Sequence, residues 1–279
     1  MKLSVVIISL LILSVNSCYR DPAVAGVKRY KDEAYGNDAR NKMDVYVPNK
    51  SDSNTATVVL IHGGGWVAGD KTNWGSDFIN NFTKKGYAVA AINYRYANGD
   101  FHNQMNDVRM ALEHLNTRAS EWKTAVGKFA LIGGSAGGHL SLLYAHAFDS
   151  AHQVKAAISL VGPTDMTDSV FHQYANNYNI GFVFPLFLGA TFDVNPQVYR
   201  DASPIFNYSN VPSLFIHGIL DDLVPPQQGV RMFDTLTIHG IIADTLMFDN
   251  AGHDVFGTKS VNKQKVYNEM NTWLQNHLH

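Results

Sequence analysis

"LIGGSAGGHLS", residues 131–141, decides the fold. Gly133, Ser135 and Gly137 form a G-x-S-x-G pattern that follows the apolar run "KFALIGG" (128–134) and precedes a helix-like run over 137–148. A chain that turns this sharply from strand to helix forces the central serine into a strained conformation, with Oγ presented at the edge of the sheet. Side chains at the flanking positions would clash, which is the mechanical reason for the glycines. Serine is a weak nucleophile at its ordinary pKa. The rest of the chain should therefore supply a base for its proton and a third group that fixes the base's tautomer.

Two downstream loops offer these partners. "FIHGILDDLVP" (215–225) contains a strand-like run and carries Asp221 and Asp222, while "AGHDVFG" (251–257) places His253 in a glycine-flanked loop after the last expected strand. His253 is the expected base, because that loop is where the chain must return to the serine. Of the other histidines, His62 and His217 end strands and are expected to make structural loop hydrogen bonds, and His139 lies on the helix behind Ser135. On residue chemistry alone the acid stays open among Asp221, Asp222 and Asp165, the last in "GPTDM" (162–166) at the end of another expected strand.

"LIHGGGWVAGDKT" (60–72) nearly spells a phosphate-binding loop. Its register fails. After Gly64 and Gly69 that motif requires Lys and then Ser or Thr, whereas Asp70 intervenes before Lys71 and Thr72 and puts a negative charge where a phosphate would sit.

Around these motifs the chain alternates strand-like and helix-like segments. Strands are expected at 43–47, 57–62, 87–93, 128–134, 156–162, 213–218 and 244–248, and helices around 74–84, 103–118, 137–148, 226–239 and 262–278. Several strand runs are apolar without alternation, as strands covered on both faces should be. The pattern predicts an α/β fold, a mostly parallel central sheet with helices on both faces. The segment from about 163 to 204, with "FHQYANNYNIGFVFPLF" (171–187), breaks the rhythm and is expected to be a cap or lid-like insertion. Its aromatic residues Tyr174, Tyr178, Phe182 and Phe184 are candidates for the wall of an acyl pocket or for the core of the lid.

Taken together, "IHGGGW", "GGSAGG", "DASPI", "HGILDDLVP" and "AGHDVF" resemble the α/β-hydrolase superfamily, specifically the bacterial carboxylesterases with an HGGG loop. That group includes hormone-sensitive-lipase-like, feruloyl and acetyl-xylan esterases, and the likeness runs from about Met43 to the C-terminus. The resemblance implies a triad in the chain order Ser135, Asp221, His253, with Asp222 a solvated neighbour. It also implies an oxyanion hole from the amides of Gly64, Gly65 and Ala136, with Gly63 a candidate to share the role and Trp66 packing to fix the loop. The implied activity is a serine esterase working through an acyl-enzyme, on acyl groups of extracellular polysaccharide. The alternatives are a prolyl-oligopeptidase-like serine peptidase and a non-catalytic binding protein on the same fold.

Composition narrows the partners. With 279 residues, 46% of them hydrophobic, and a net charge of −2, the chain can bury a large single core and carries no basic footprint for nucleic acid. No cofactor and no metal is expected, since the sequence has no H-x-x-x-H or paired Cys/His spacing. "MKLSVVIISLLILSVNSCYRDP" (1–22) has the layout of an export signal, a cationic start followed by an apolar stretch. Cys18, the single cysteine, resembles the lipidated residue of bacterial lipoproteins. A rival cut lies after Ala25. The expected organisation is a signal peptide at 1–17, a tether at 18–34 and a hydrolase domain at 35–279, in a protein exported to the cell envelope or secreted and touching membrane only through the lipid.

Overall fold

The computed structural model of the protein describes residues 26–256 and 260–278. The expected signal peptide and Cys18 lie outside that range. Eight strands form one sheet: β1 (Val27–Ala34), β2 (Lys42–Pro48), β3 (Thr57–Ile61), β4 (Ala88–Ile92), β5 (Phe129–Gly134), β6 (Val154–Leu160), β7 (Ser213–Gly218) and β8 (Ala243–Phe248). They are ordered β1-β2-β4-β3-β5-β6-β7-β8, and every pairing beyond β2 and β4 is parallel. The helices are α1 (Ser76–Thr83), α2 (His102–Trp122), α3 (Ala136–Leu143), α4 (Ser169–Asn177), α5 (Val183–Leu188), α6 (Pro196–Asp201), α7 (Gln227–Ile238) and α8 (Ser260–His277). This is the α/β-hydrolase architecture, with a mostly parallel sheet and helices on both faces.

The apolar runs are explained by the two faces. Val59, Ile61, Ala90 and Leu131 point into a core with Val108 and Leu112 of α2, Leu140 of α3 and Met232 of α7. Their sequence neighbours Val58, Leu60, Val89 and Ile132 enter a second core with Phe78 and Phe82 of α1 and Met270 and Leu274 of α8. Strands sandwiched in this way need no polar face.

One expectation is corrected. The expected tether runs to residue 34, but Val27–Ala34 is the edge strand β1, paired antiparallel with β2. Its side chains are half-buried or exposed and its sequence, "VKRYKDEA", is too polar to read as a strand. It is held by charge instead. Arg29 Nη2 donates to Asp44 Oδ2 at 2.7 Å, and buried Lys71 bridges Asp44 Oδ1 at 2.7 Å and Asp32 Oδ1 at 2.8 Å.

The insertion is a helical excursion built from α4, α5 and α6. It is packed into the main core through Phe171, Phe184, Phe187 and Tyr199, while Tyr178, Phe182 and Phe192 are exposed. The parallel strands put their C-terminal ends on one edge of the sheet. The loops after β3, β5, β7 and β8 all leave from there, the position where open parallel sheets bind ligands.

α3 lies tight against the end of β3. A Cβ on Gly137 would stand 2.0 Å from the Ile61 carbonyl oxygen. Gly137→Ala should therefore lower stability by at least ~1–3 kcal/mol, read as an earlier midpoint in urea unfolding. An unchanged midpoint would contradict the close approach.

Candidate active site

Ser135 sits between β5 and α3 with φ 53° and ψ −122°, outside the regions a serine favours. The strain is enforced by packing: a Cβ on Gly133 would lie 2.0 Å from the Gly137 carbonyl oxygen, so the turn closes only without side chains on either side. The hydroxyl is thereby pushed toward the loop after β8.

There it meets His253. The Ser135 hydroxyl donates to His253 Nε2 at 3.0 Å, and His253 Nδ1–H donates to Asp221 Oδ2 at 2.8 Å. The tautomer follows from the partners, since an ionised carboxylate can only accept. Asp221 is 3% exposed. Burial alone would raise its pKa, but hydrogen bonds and charge from His217 and His253 outweigh that and hold the carboxyl well below the usual range. Its other oxygen, Oδ1, accepts the backbone N–H groups of Leu223 at 3.0 Å and Val224 at 2.9 Å. All its lone pairs face donors, so the acid cannot rotate away.

The other acidic candidates separate cleanly. Asp222 is exposed and accepts a hydrogen bond from the Tyr178 hydroxyl, while Asp165 is turned to Thr167 and lies 3.8 Å from Arg231. Neither meets an imidazole. His217 does make loop hydrogen bonds as expected, to Asp221 Oδ2 and the Val224 carbonyl, both at 3.0 Å. Its sharing of the very oxygen that holds His253 was not legible in the sequence.

The loop after β3 folds over Ser135. Gly64 and Gly65 have φ of +111° and +57°, and a Cβ on Gly64 would stand 2.3 Å from the Ala68 carbonyl oxygen. Trp66 fixes the loop: its Nε1–H donates to His139 Nδ1 at 3.3 Å, and its ring stacks on Phe187 at 4.7 Å. His139 in turn donates from Nε2 to the Ala202 carbonyl at 2.7 Å, joining the loop, α3 and the end of the insertion. Asp70 caps the short helical turn Lys71–Asn73, and the Lys71 ammonium is spent on Asp32 and Asp44.

Gly63, Gly64 and Gly65 line one cavity of about 100 Å³ with Ser135, Ala136 and His253. Its far wall is apolar, built from Phe171, Ala175, Ile180, Val183 and Phe184 of the insertion together with Leu223 and Val224. Of the four aromatic residues singled out in the sequence, Phe184 reaches the cavity, whereas Phe182 and Tyr178 are exposed. Phe171, Ile180 and Val183 were missed because only the fold turns them inward. Among the described residues no group of three or more His, Cys, Asp or Glu is placed to hold a metal ion.

Known proteins share the sequence and the fold of this chain. The BD-FAE family model matches residues 43–236. The probable carboxylic ester hydrolase LipM of Mycobacterium tuberculosis is 30% identical over 259 residues, covering 86% of this chain and 58% of LipM. An acetylxylan esterase of Xylanibacter ruminicola is 23% identical, covering 85% of this chain and 48% of that protein. The chain thus spans less than two thirds of the length of these relatives. Among solved structures, a truncated carbohydrate esterase from gut microbiota superposes with a TM-score of 0.73 at 20% identity, over 90% of this chain and 98% of that one, which shows the shared fold.

The buried histidines generate a pH prediction. Burial pushes His62 and His139 down from 6.5 to about 4, so both are neutral in the folded protein above that pH. In the unfolded chain each regains its ordinary value and binds a proton below about pH 6.5. Unfolding therefore takes up protons between these limits, and stability should fall as pH drops from about 6.5 toward about 4. Urea midpoints measured at about pH 7.5 and about pH 5 should show the lower value in acid. Equal midpoints would contradict the neutral, buried state.

Proposed function

The chain belongs to the BD-FAE family, and from that premise we propose that it is a serine esterase that cleaves short acyl esters through an acyl-enzyme. The observation that carries the reading is the unbroken hydrogen-bond line Asp221–His253–Ser135 opening into a cavity bordered by Gly63, Gly64 and Gly65. His253 accepts the Ser135 proton as Oγ attacks the ester carbonyl. The carbonyl oxygen becomes an anion, met by the N–H groups of Gly64, Gly65 and Ala136. One such donor is worth roughly 10²–10³ in rate. His253 then gives its proton to the departing alcohol, and a water deprotonated by His253 releases the acid. Asp221 stays ionised throughout and stabilises the imidazolium.

Cavity size favours a small acyl group. The space is about 100 Å³, below the ~150 Å³ of a cavity known to take benzene. A space of this size suits an acetyl group better than a feruloyl group. The acetylxylan esterase and carbohydrate esterase likenesses support acetylated polysaccharide as the substrate. The apolar leader and Cys18 of the sequence support the cell envelope as the place of action.

Purified protein should hydrolyse p-nitrophenyl acetate faster than the feruloyl ester, and Ser135→Ala should abolish turnover. Asp221→Asn should reduce kcat by roughly 10⁴ through loss of the required tautomer. Retention of more than a few per cent of activity in Ser135→Ala, or preference for aminoacyl p-nitroanilides, would overturn the assignment.

A further inference from the structure

Arg40 stands in the turn between β1 and β2, outside the motifs that mark the site. Its guanidinium nevertheless reaches both ends of the glycine loop. Nη2 lies 3.2 Å from His62 Nε2, at the loop's start, and donates to the Gly69 carbonyl at 3.0 Å, at its end. Nε–H donates to the Tyr94 carbonyl at 2.7 Å, and the guanidinium lies over the Tyr96 ring, 3.8 Å from its centre.

The loop is shaped to need such a bridge. Its two ends abut, since a Cβ on Gly69 would stand 2.3 Å from the Gly63 carbonyl oxygen and 2.4 Å from His62 Nδ1. His62 Nδ1–H donates to the Gly63 carbonyl at 2.7 Å, which leaves Nε2 as an acceptor facing Arg40. Tyr94 stacks on the His62 ring at 4.3 Å and donates to the His62 carbonyl at 3.0 Å, and the Tyr96 hydroxyl donates to Gly69 at 2.8 Å. Arg40 thus joins His62, Gly69 and Tyr94 and Tyr96 of the segment after β4 into one bonded ring. The three glycines between those ends have no side chains with which to hold themselves.

We infer that Arg40 is a positioning residue of the proposed esterase, closing residues 62–69 into a fixed ring so that the Gly64 and Gly65 amides stay aimed at the carbonyl oxygen of the ester on Ser135. It lines no part of the cavity and acts only through the loop. A planar fork with several donors suits three acceptors in different directions, which a lysine's single ammonium cannot span. The inference rests on the esterase reading above. Because the ester is bound mainly by the apolar wall while the oxyanion forms only in the transition state, loss of Arg40 should act on kcat rather than KM.

The test compares wild type, Arg40→Ala and Arg40→Lys on p-nitrophenyl acetate, with and without millimolar guanidinium. A misplacement of about 1 Å in the catalytic groups costs roughly 10² in rate. Arg40→Ala should therefore lose kcat by roughly that factor with KM little changed, and guanidinium should restore part of it. Arg40→Lys should fold and remain impaired, which keeps the test decisive where the alanine variant is insoluble. An active wild type with Arg40→Lys at wild-type kcat, or a loss confined to KM and insensitive to guanidinium, overturns the inference alone. A wild type without turnover overturns the esterase reading and this inference with it.

Discussion

Everything in this site depends on a backbone that is held where it does not want to be. Ser135 occupies φ 53°, ψ −122°, a conformation whose cost is of order 1–3 kcal/mol and which persists only when its surroundings dictate it. Here they do. β5 enters the turn from the middle of the sheet, α3 leaves it against the end of β3, and the contacts at Gly133 and Gly137 leave no room for a relaxed path. The sheet's packing is thereby converted into the aim of one hydroxyl.

The same edge of the sheet sets the positions of its partners. β7 leads into Asp221, whose oxygens are fully engaged by two imidazoles and two backbone amides, and the loop after β8 carries His253. The glycine loop after β3 closes the opposite side, fixed by Trp66 from within the core and by Arg40 from the edge of the sheet. A polar edge strand thus matters to the site. The buried Lys71–Asp44 pair anchors the chain just beyond the loop to β2, beside the turn that carries Arg40. Removing one partner of such a pair is far more damaging than the pair is stabilising.

Much of this was legible in the residues because the physical demands are strict. Parallel strands buried on both faces must be continuously apolar, so β3 to β7 announce themselves. The turn at Ser135 requires glycines at fixed spacing. β1 was not legible, since an edge strand held by Arg29, Asp32 and Asp44 carries no apolar period. The choice of Asp221 over Asp222 came from family resemblance and is matched by burial: the first is enclosed and the second lies in solvent. The cavity wall was read only at Phe184, because which faces of α4 and α5 turn inward is decided by how the insertion packs. Arg40 gave no signal at all. Its partners are up to 56 positions away in the chain, and no local pattern marks a residue that acts across such a span.

In the proposed esterase, Ser135 carries the acyl group between two chemical steps. The most direct measurement is to mix the protein with excess p-nitrophenyl acetate, quench in acid within the first turnover and map the acetyl group by peptide mass spectrometry. An acyl-enzyme on Ser135 gives a burst of p-nitrophenol matching the enzyme concentration and an acetyl group on the peptide bearing Ser135. Turnover without any acetylated Ser135, or an acetyl group lodged on another residue, would contradict it.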